Sequence, residues 1–260
     1  MVEGKGHGQE VVEGETYDYS NVKKFISSLE NDPKKLERLA YFGQKRADHM
    51  FETADLGSEV KKGDRVLYIG TGTGHMPRNL EKKTGVNFFK IDLADIRTSD
   101  NKDNKFVVAN ARRLPFADTS FDEVFVSDVL HHTEKQGEIL AEVKRVLRPG
   151  GKAVILEDTI PEAIHPTARV LFDKLTGWMD DALNLQSKGV NPHNRHSVIE
   201  WETMFANAGF DPNIDTKTWF WGLNLMMGKL GSEKRTAISP FEESCFKIKK
   251  PLDKPNDPTI

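Results

Sequence analysis

The stretch "RVLYIGTGTGHMP", residues 65–77, decides the fold. Four apolar residues, Val66, Leu67, Tyr68 and Ile69, run into three glycines, Gly70, Gly72 and Gly74. A buried strand ending in a glycine turn opens an α/β nucleotide-binding unit, where backbone must come close to a ligand. The same rhythm continues downstream. "VNFFKID" (86–92), "KFVVAN" (105–110), "FDEVFVS" (121–127) and "KAVILE" (152–157) are further β-rich runs. Between the last two, Ile139, Leu140, Val143, Val146 and Leu147 fall on one helical face. Thr133 and Gln136 suit a capping box before that helix, and "RPGG" at 148–151 suits its stop. The alternation predicts a doubly wound, mostly parallel α/β sheet with right-handed crossovers. The runs are apolar on both faces, as a sheet covered on both sides requires.

Outside this block the chain is less regular. Residues 1–16 are polar and glycine-rich, predicting a flexible arm and not a signal peptide. Residues 17–60 predict a helical cap, with Asp32-Pro33 as a helix start and Leu29, Leu36, Leu39, Ala40 and Phe42 lining a face. The domain proper spans 61–250, with a helical insertion near 160–210 after the fifth strand. Within it, 196–210 reads as a helix ended by Gly209, and two late strands fall near 213–221 and 243–249. The proline-rich tail 251–260 predicts disorder.

Composition narrows the class. The chain has 260 residues and a net charge of −3, which speaks against a general nucleic-acid binder. Cys245 is the single cysteine, so no disulfide framework forms within the chain and a cytoplasmic setting is expected. No apolar run approaches the ~18 residues of a membrane span. "HNRH" (193–196) lacks the further ligands of a metal centre, and none is expected.

The glycines must then be matched to a cofactor. A dinucleotide fingerprint, G-x-G-x-x-G/A, places a small residue where this chain has His75. That disfavours an NAD(P)-dependent oxidoreductase, which stays as an alternative. Asp92 ends the second strand, where a carboxylate can accept both hydroxyls of a ribose. After the third strand, "NARRLPF" (110–116) offers Asn110 to an adenine edge and apolar residues to the ring, with Arg112 close by.

"VLYIGTGTG", "FFKIDLAD", "NARRLPFADTSFDEVFVSDVLHH" and "EILAEVKRVLRPGGKAVILED" together resemble the class I S-adenosylmethionine-dependent methyltransferases. The similarity is to the broad ubiquinone/menaquinone-biosynthesis group (methyltransferase type 11), over about residues 65–158. It implies a seven-stranded sheet with a reversed last strand, which fits 243–249. It implies S-adenosylmethionine as cofactor, S-adenosylhomocysteine as product and a small-molecule acceptor, in a monomer or homodimer. The implied cofactor residues are Tyr68, Gly70, Thr71, Gly72, Gly74, Asp92, Leu93, Asn110, Ala111, Arg112, Ser127 and Asp128. His131, His132 and Asp158 are candidate catalytic groups. Tyr17, Glu157, His193 and Arg195 are candidate acceptor contacts.

One position departs from the family. Tyr68 stands where an Asp or Glu usually helps hold the cofactor's amino group. Three explanations stay open. Asp128 supplies the charge; the phenol replaces only the hydrogen bond; or the protein binds the cofactor weakly and without catalysis. On the first, Tyr68→Asp is expected to strengthen binding where the pocket tolerates the smaller side chain.

Overall fold

The computed structural model of the protein describes residues 3–4, 9–12, 15–18, 27, 31–162, 194–220 and 242–252. Seven strands form the central sheet: β1 (Val66–Ile69), β2 (Phe89–Asp92), β3 (Phe106–Val108), β4 (Phe121–Ser127), β5 (Leu147–Thr159), β6 (Asp215–Phe220) and β7 (Glu242–Lys249). Their order is β3-β2-β1-β4-β5-β7-β6. The first five are mutually parallel, and β7 runs antiparallel to both β5 and β6. The order reverses between β1 and β4, so their carboxyl ends flank the topological switch point where such sheets take ligands.

Strand parity divides the core into two layers, because successive side chains point to opposite faces. Leu67, Ile69, Val124, Val126, Ala153, Ile155 and Phe246 pack beneath α3 (Gln136–Val146) and α4 (Val198–Asn207). Val66, Tyr68, Phe125, Val154, Leu156 and Cys245 pack on the other face, beneath α1 (Pro33–Thr53) and α2 (His75–Thr84). Tyr68 therefore belongs by parity to the α1/α2 layer. Its ring lies nearly parallel to Phe88 at 6.4 Å and 6.3 Å from Phe125.

Several local expectations change. Helix α1 starts at Pro33 as anticipated, but its fully buried positions among the described residues are Ala47 and Met50, beyond the expected face, with Ala54 buried just past its end. Helix α3 begins at Gln136 and lacks the capping box. Thr133 Oγ1 instead accepts from Lys135 N at 3.0 Å, and the Gln136 amide reaches away to Leu130 O and Asn194 O. The helix does stop just before "RPGG", at Val146, and that segment already belongs to β5. Helix α4 carries a complete capping box between Ser197 and Glu200.

Where residues 1–16 were expected as an unpaired arm, Glu3–Gly4, Gln9–Val12 and Glu15–Asp18 pair as a three-stranded antiparallel ribbon. Backbone pairing needs no apolar side chains, so composition could not reveal it. Most of the expected insertion, residues 163–193, and most of the tail beyond 252 lie outside the described residues.

Candidate functional site

The glycine turn is fixed from two sides. Gly70 N and Thr71 N both donate to Ile91 O at 3.2 Å, and Thr71 Oγ1 adds a 2.9 Å bond to the same carbonyl. All three glycines have positive φ, but they do different work. A Cβ on Gly70 would fall 2.4 Å from Ser127 O. One on Gly74 would fall 2.7 Å from Asn101 Cβ. Those two glycines are required by the protein's own packing. A Cβ on Gly72 would meet nothing within 4 Å. Gly72 thus borders open space at the switch point, where a side chain would occupy room left for a ligand.

Asp92 closes the neighbouring side. Its carboxylate accepts from Gly72 N at 2.8 Å and from Leu93 N at 2.7 Å. Burial pushes its pKa up to about 6 against the pull of these amides. It is thus mostly ionised at neutral pH, with its orientation set by the turn it serves. Asn110 Oδ1 accepts from Arg112 N at 3.0 Å, so the adenine-side loop is braced by its own side chain. Ala111 is buried, and the Arg112 guanidinium lies 3.7 Å from Glu138.

Across the switch point, Ser127 is buried and its hydroxyl lies 3.2 Å from Asp128 Oδ2. Asp128 has φ 53, a left-handed conformation uncommon for a residue with a side chain. Its backbone N–H is tied to Leu156 O at 2.9 Å. Such backbone strain concentrates at functional positions. Its carboxylate meets Arg46, on α1, at 2.7 Å. Arg46 also pairs with Glu243, which faces Asp158 in the β5–β7 register. Carboxylate oxygens of Asp128, Asp158 and Glu243 lie within 4.8 Å of one another. Asp158 is in turn bound by Arg195 at 3.2 Å. Burial raises its pKa, but Arg195, His131 and Arg46 outweigh burial and leave it below its ordinary value.

Tyr68 ends beneath this cluster. Burial raises its phenol's pKa well above the ordinary value, against an opposing pull from Ser127. A carboxylate at this position would face Arg46 as well as Asp128 and Glu243, and would replace a ring packed against Phe88 and Phe125.

The turn after β4 hangs on Glu157, which is fully buried. Its Oε1 accepts from Val129 N at 2.9 Å and Leu130 N at 2.6 Å, and its Oε2 lies 2.6 Å from His131 Nδ1. Glu157 thus supports the turn from within instead of lining the open face, as was expected of an acceptor contact. Burial opposes charge on His131, but the Glu157 carboxylate prevails and raises its pKa to about 9. His131 is therefore an imidazolium at neutral pH, with no lone pair free to accept a proton. The His132 ring lies 4.0 Å from that of His131. Tyr17 is placed only as part of the amino-terminal ribbon, while His193 lies outside the described residues. Arg46 and Glu243 were missed in the sequence. A charge inside a helix or an edge-side strand ordinarily reads as a solvated face.

A methyltransferase-domain family model matches residues 67–155. The chain is 34% identical over 176 residues to the ubiquinone/menaquinone biosynthesis C-methyltransferase UbiE of Pseudomonas paraeruginosa, covering 59% of this chain and 68% of that one. The chain belongs to the UbiE-like S-adenosylmethionine-dependent methyltransferase family. A second relative, methyltransferase GfsG of Streptomyces halstedii, is 27% identical over 177 residues, and this chain spans 62% of its length. The sheet also superposes on Haemonchus contortus phosphoethanolamine N-methyltransferase 2, solved with phosphomonomethylethanolamine and S-adenosylhomocysteine. The TM-score is 0.57 at 16% identity, covering 79% of this chain and 53% of that one, a likeness of fold. The open position at Gly72 and the ionised Asp92 beside it fit the cofactor of this methyltransferase family.

Proposed function

We propose that this methyltransferase moves the methyl group of S-adenosylmethionine to a small-molecule acceptor by in-line displacement. The observation that carries the reading is the open space over Gly72 with the Asp92 carboxylate fixed beside it. When bound, the cofactor supplies a sulfonium methyl group that a nucleophile can displace. Asp92 would hold the ribose hydroxyls, and Asn110 with Ala111 would border the adenine. Thr71, Leu93 and Arg112 would complete that wall, and Ser127 and Asp128 would face the methionyl end. Placing acceptor and methyl in line is worth up to ~7–11 kcal/mol, so alignment can carry the step.

The histidines bear on the kind of acceptor. His131 holds a proton on each ring nitrogen and cannot take one from the acceptor. His132 and Asp158 are the remaining proton-accepting candidates, and Asp158 is weakened as a base by Arg195. An acceptor that is nucleophilic without surrendering a proton to the chain suits this arrangement. The expected cap (17–60), domain (61–250) and cytoplasmic setting belong to the same proposal. No helix among the described residues is long and apolar enough to cross a membrane.

The test is calorimetric titration with S-adenosylhomocysteine and NADH, followed by mass spectrometry of an acceptor panel with S-adenosylmethionine. Binding of S-adenosylhomocysteine with methylated product is the expected result. Binding of NADH alone would restore the oxidoreductase alternative. Cofactor binding with no methylation of any acceptor would favour a non-catalytic binding protein.

A further inference from the structure

A cavity of about 310 Å³ lies away from the switch point, between α2, β2 and residues 100–105 of the crossover that joins β2 to β3. Of the residues assigned to the cofactor, it touches Gly74 alone. The crossover itself leaves the room. A parallel connection usually carries a helix, but residues 93–105 hold only the single turn Ser99–Asn101. The hollow is polar. Lys90, which strand parity turns to the α1/α2 face, lines it with a side chain only 4% exposed.

The charges around the cavity are unevenly committed. Its three acids are all engaged. Glu81 accepts from Phe88 N at 2.7 Å and from Lys90 Nζ at 2.5 Å. Asp103 takes the same ammonium group at 2.8 Å. Asp100 accepts from the Thr98 hydroxyl at 2.7 Å and from Arg78 Nη1 at 2.9 Å. The cations keep capacity. Arg78 makes its side-chain hydrogen bonds through Nη1 alone, to Asp100 O, Asp100 Oδ2 and Asn101 Oδ1. Its Nε and Nη2, which share one edge of the guanidinium, make no hydrogen bond among the described residues. Lys102 and Lys105 line the same cavity and form no salt bridge among the described residues. Two N–H groups on one edge match two oxygens of an oxyanion, and a lysine adds a point charge.

We propose that this cavity binds the phosphate group of a small molecule, at a site separate from the cofactor's. Nε and Nη2 of Arg78 take two phosphate oxygens, and Lys102 and Lys105 balance the remaining charge. Two ammonium groups beyond the Arg78 fork favour a dianionic phosphate over a single carboxylate. The net charge of −3 gives the chain no general attraction for anions, so binding depends on this local arrangement. The cavity wall reaches the glycine turn from the side opposite its open space. Asn101, held by Arg78, donates through Nδ2 to Thr73 O at 3.1 Å, and a Cβ on Gly74 would strike Asn101. Phosphate and cofactor can therefore be bound together.

The inference does not rest on the methyltransferase reading, and its test needs no methylation. Inorganic phosphate is titrated calorimetrically, at physiological ionic strength, into the parent, Arg78→Gln, Lys102→Gln and a remote control, Arg148→Gln. Arg148 is 58% exposed and pairs with Asp122 at the start of β5. The expected result is saturable one-to-one binding to the parent. Arg78→Gln should lose about tenfold or more in affinity, the size of one charge-assisted contact. Lys102→Gln should lose about two- to fivefold, as befits an exposed charge pair. Lys102 is exposed, so its variant stays informative even where Arg78→Gln lowers stability. Arg148→Gln should bind like the parent, and saturating S-adenosylhomocysteine should leave phosphate binding in place. Absence of saturable binding to the parent would overturn the proposal. Equal losses in Arg78→Gln and Arg148→Gln would do the same, because they would mark general surface charge. So would displacement of phosphate by S-adenosylhomocysteine, which would put the anion in the cofactor's own place.

Discussion

His131 Nδ1 and Glu157 Oε2 lie 2.6 Å apart in a part of the interior that neither side chain leaves. The pair joins the end of β5 to the turn after β4, so a buried charge sets the shape of the candidate site's floor. Its consequence for stability has a definite sign. The folded-state pKa of His131 is raised to about 9 from an ordinary 6.5. Its contribution is complete below pH ~6.5 and falls away as pH rises toward ~9, an effect on the order of 3 kcal/mol. Denaturant unfolding from pH 6 to 10 should show this loss in the parent, and His131→Gln should flatten it. An equal slope in both proteins would remove the pair as its source.

Glu157→Ala should be among the most destabilising changes at neutral pH. It leaves the His131 ring and three backbone amides, of Val129, Leu130 and His131, without their acceptor. Breaking a buried pair in this way costs about 3–5 kcal/mol. A midpoint of unfolding near that of the parent would show that water replaces the carboxylate.

The glycines of the turn should separate stability from binding. Gly70→Ala and Gly74→Ala force a Cβ into Ser127 O and Asn101 Cβ, so both should lower stability sharply. Gly72→Ala meets no protein atom and carries only the left-handed backbone penalty, about 1–2 kcal/mol. It should fold, yet bind S-adenosylhomocysteine at least about tenfold more weakly, a difference of ~1.4 kcal/mol. Paired unfolding and titration curves check this, and full affinity in Gly72→Ala would show that the open space is not the cofactor's.

Cofactor affinity should depend on pH through Asp92. Its folded-state pKa is pushed up to about 6, so it loses charge as pH falls through that value. S-adenosylhomocysteine binding should weaken below pH ~6 in the parent, because a protonated carboxyl accepts ribose hydroxyls poorly. Asp92→Asn should bind more weakly at pH 8 and lack this dependence. Titrations at pH 5.5, 7 and 8, roughly bracketing that pKa, would expose a flat parent profile and refute it.

Tyr68 has two informative variants. Tyr68→Phe keeps the ring packing against Phe88 and Phe125 and removes only the phenol hydroxyl near Ser127, so it should cost no more than about 1 kcal/mol. Tyr68→Asp opens a cavity in the aromatic layer and places a carboxylate among Arg46, Asp128 and Glu243, so the lost ring should lower its stability. Thermal unfolding of the two proteins decides; a stable, tightly binding Tyr68→Asp would mean that the β1 position retains the family's charge-recognition role.

The sequence by itself determined the alternating frame. Short apolar runs, a glycine turn after Ile69 and the amphipathic stretch 139–147 are local signals, each set by strand or helix periodicity. Asp92 and the β4 end were legible for the same reason, since strand ends in a parallel sheet face one edge. Tertiary structure decided what those residues face. Only packing shows that Gly70 and Gly74 are demanded by Ser127 and Asn101 while Gly72 borders open space. Only strand parity and the β5–β7 register carry Tyr68 under the α1/α2 layer and bring Glu243 beside Asp158. Arg46 lies 82 positions before Asp128 and 197 before Glu243 in the chain. No local pattern encodes contacts across such distances, because they arise from the docking of a helix on a sheet, and so the charge cluster at the switch point was visible only in the folded chain.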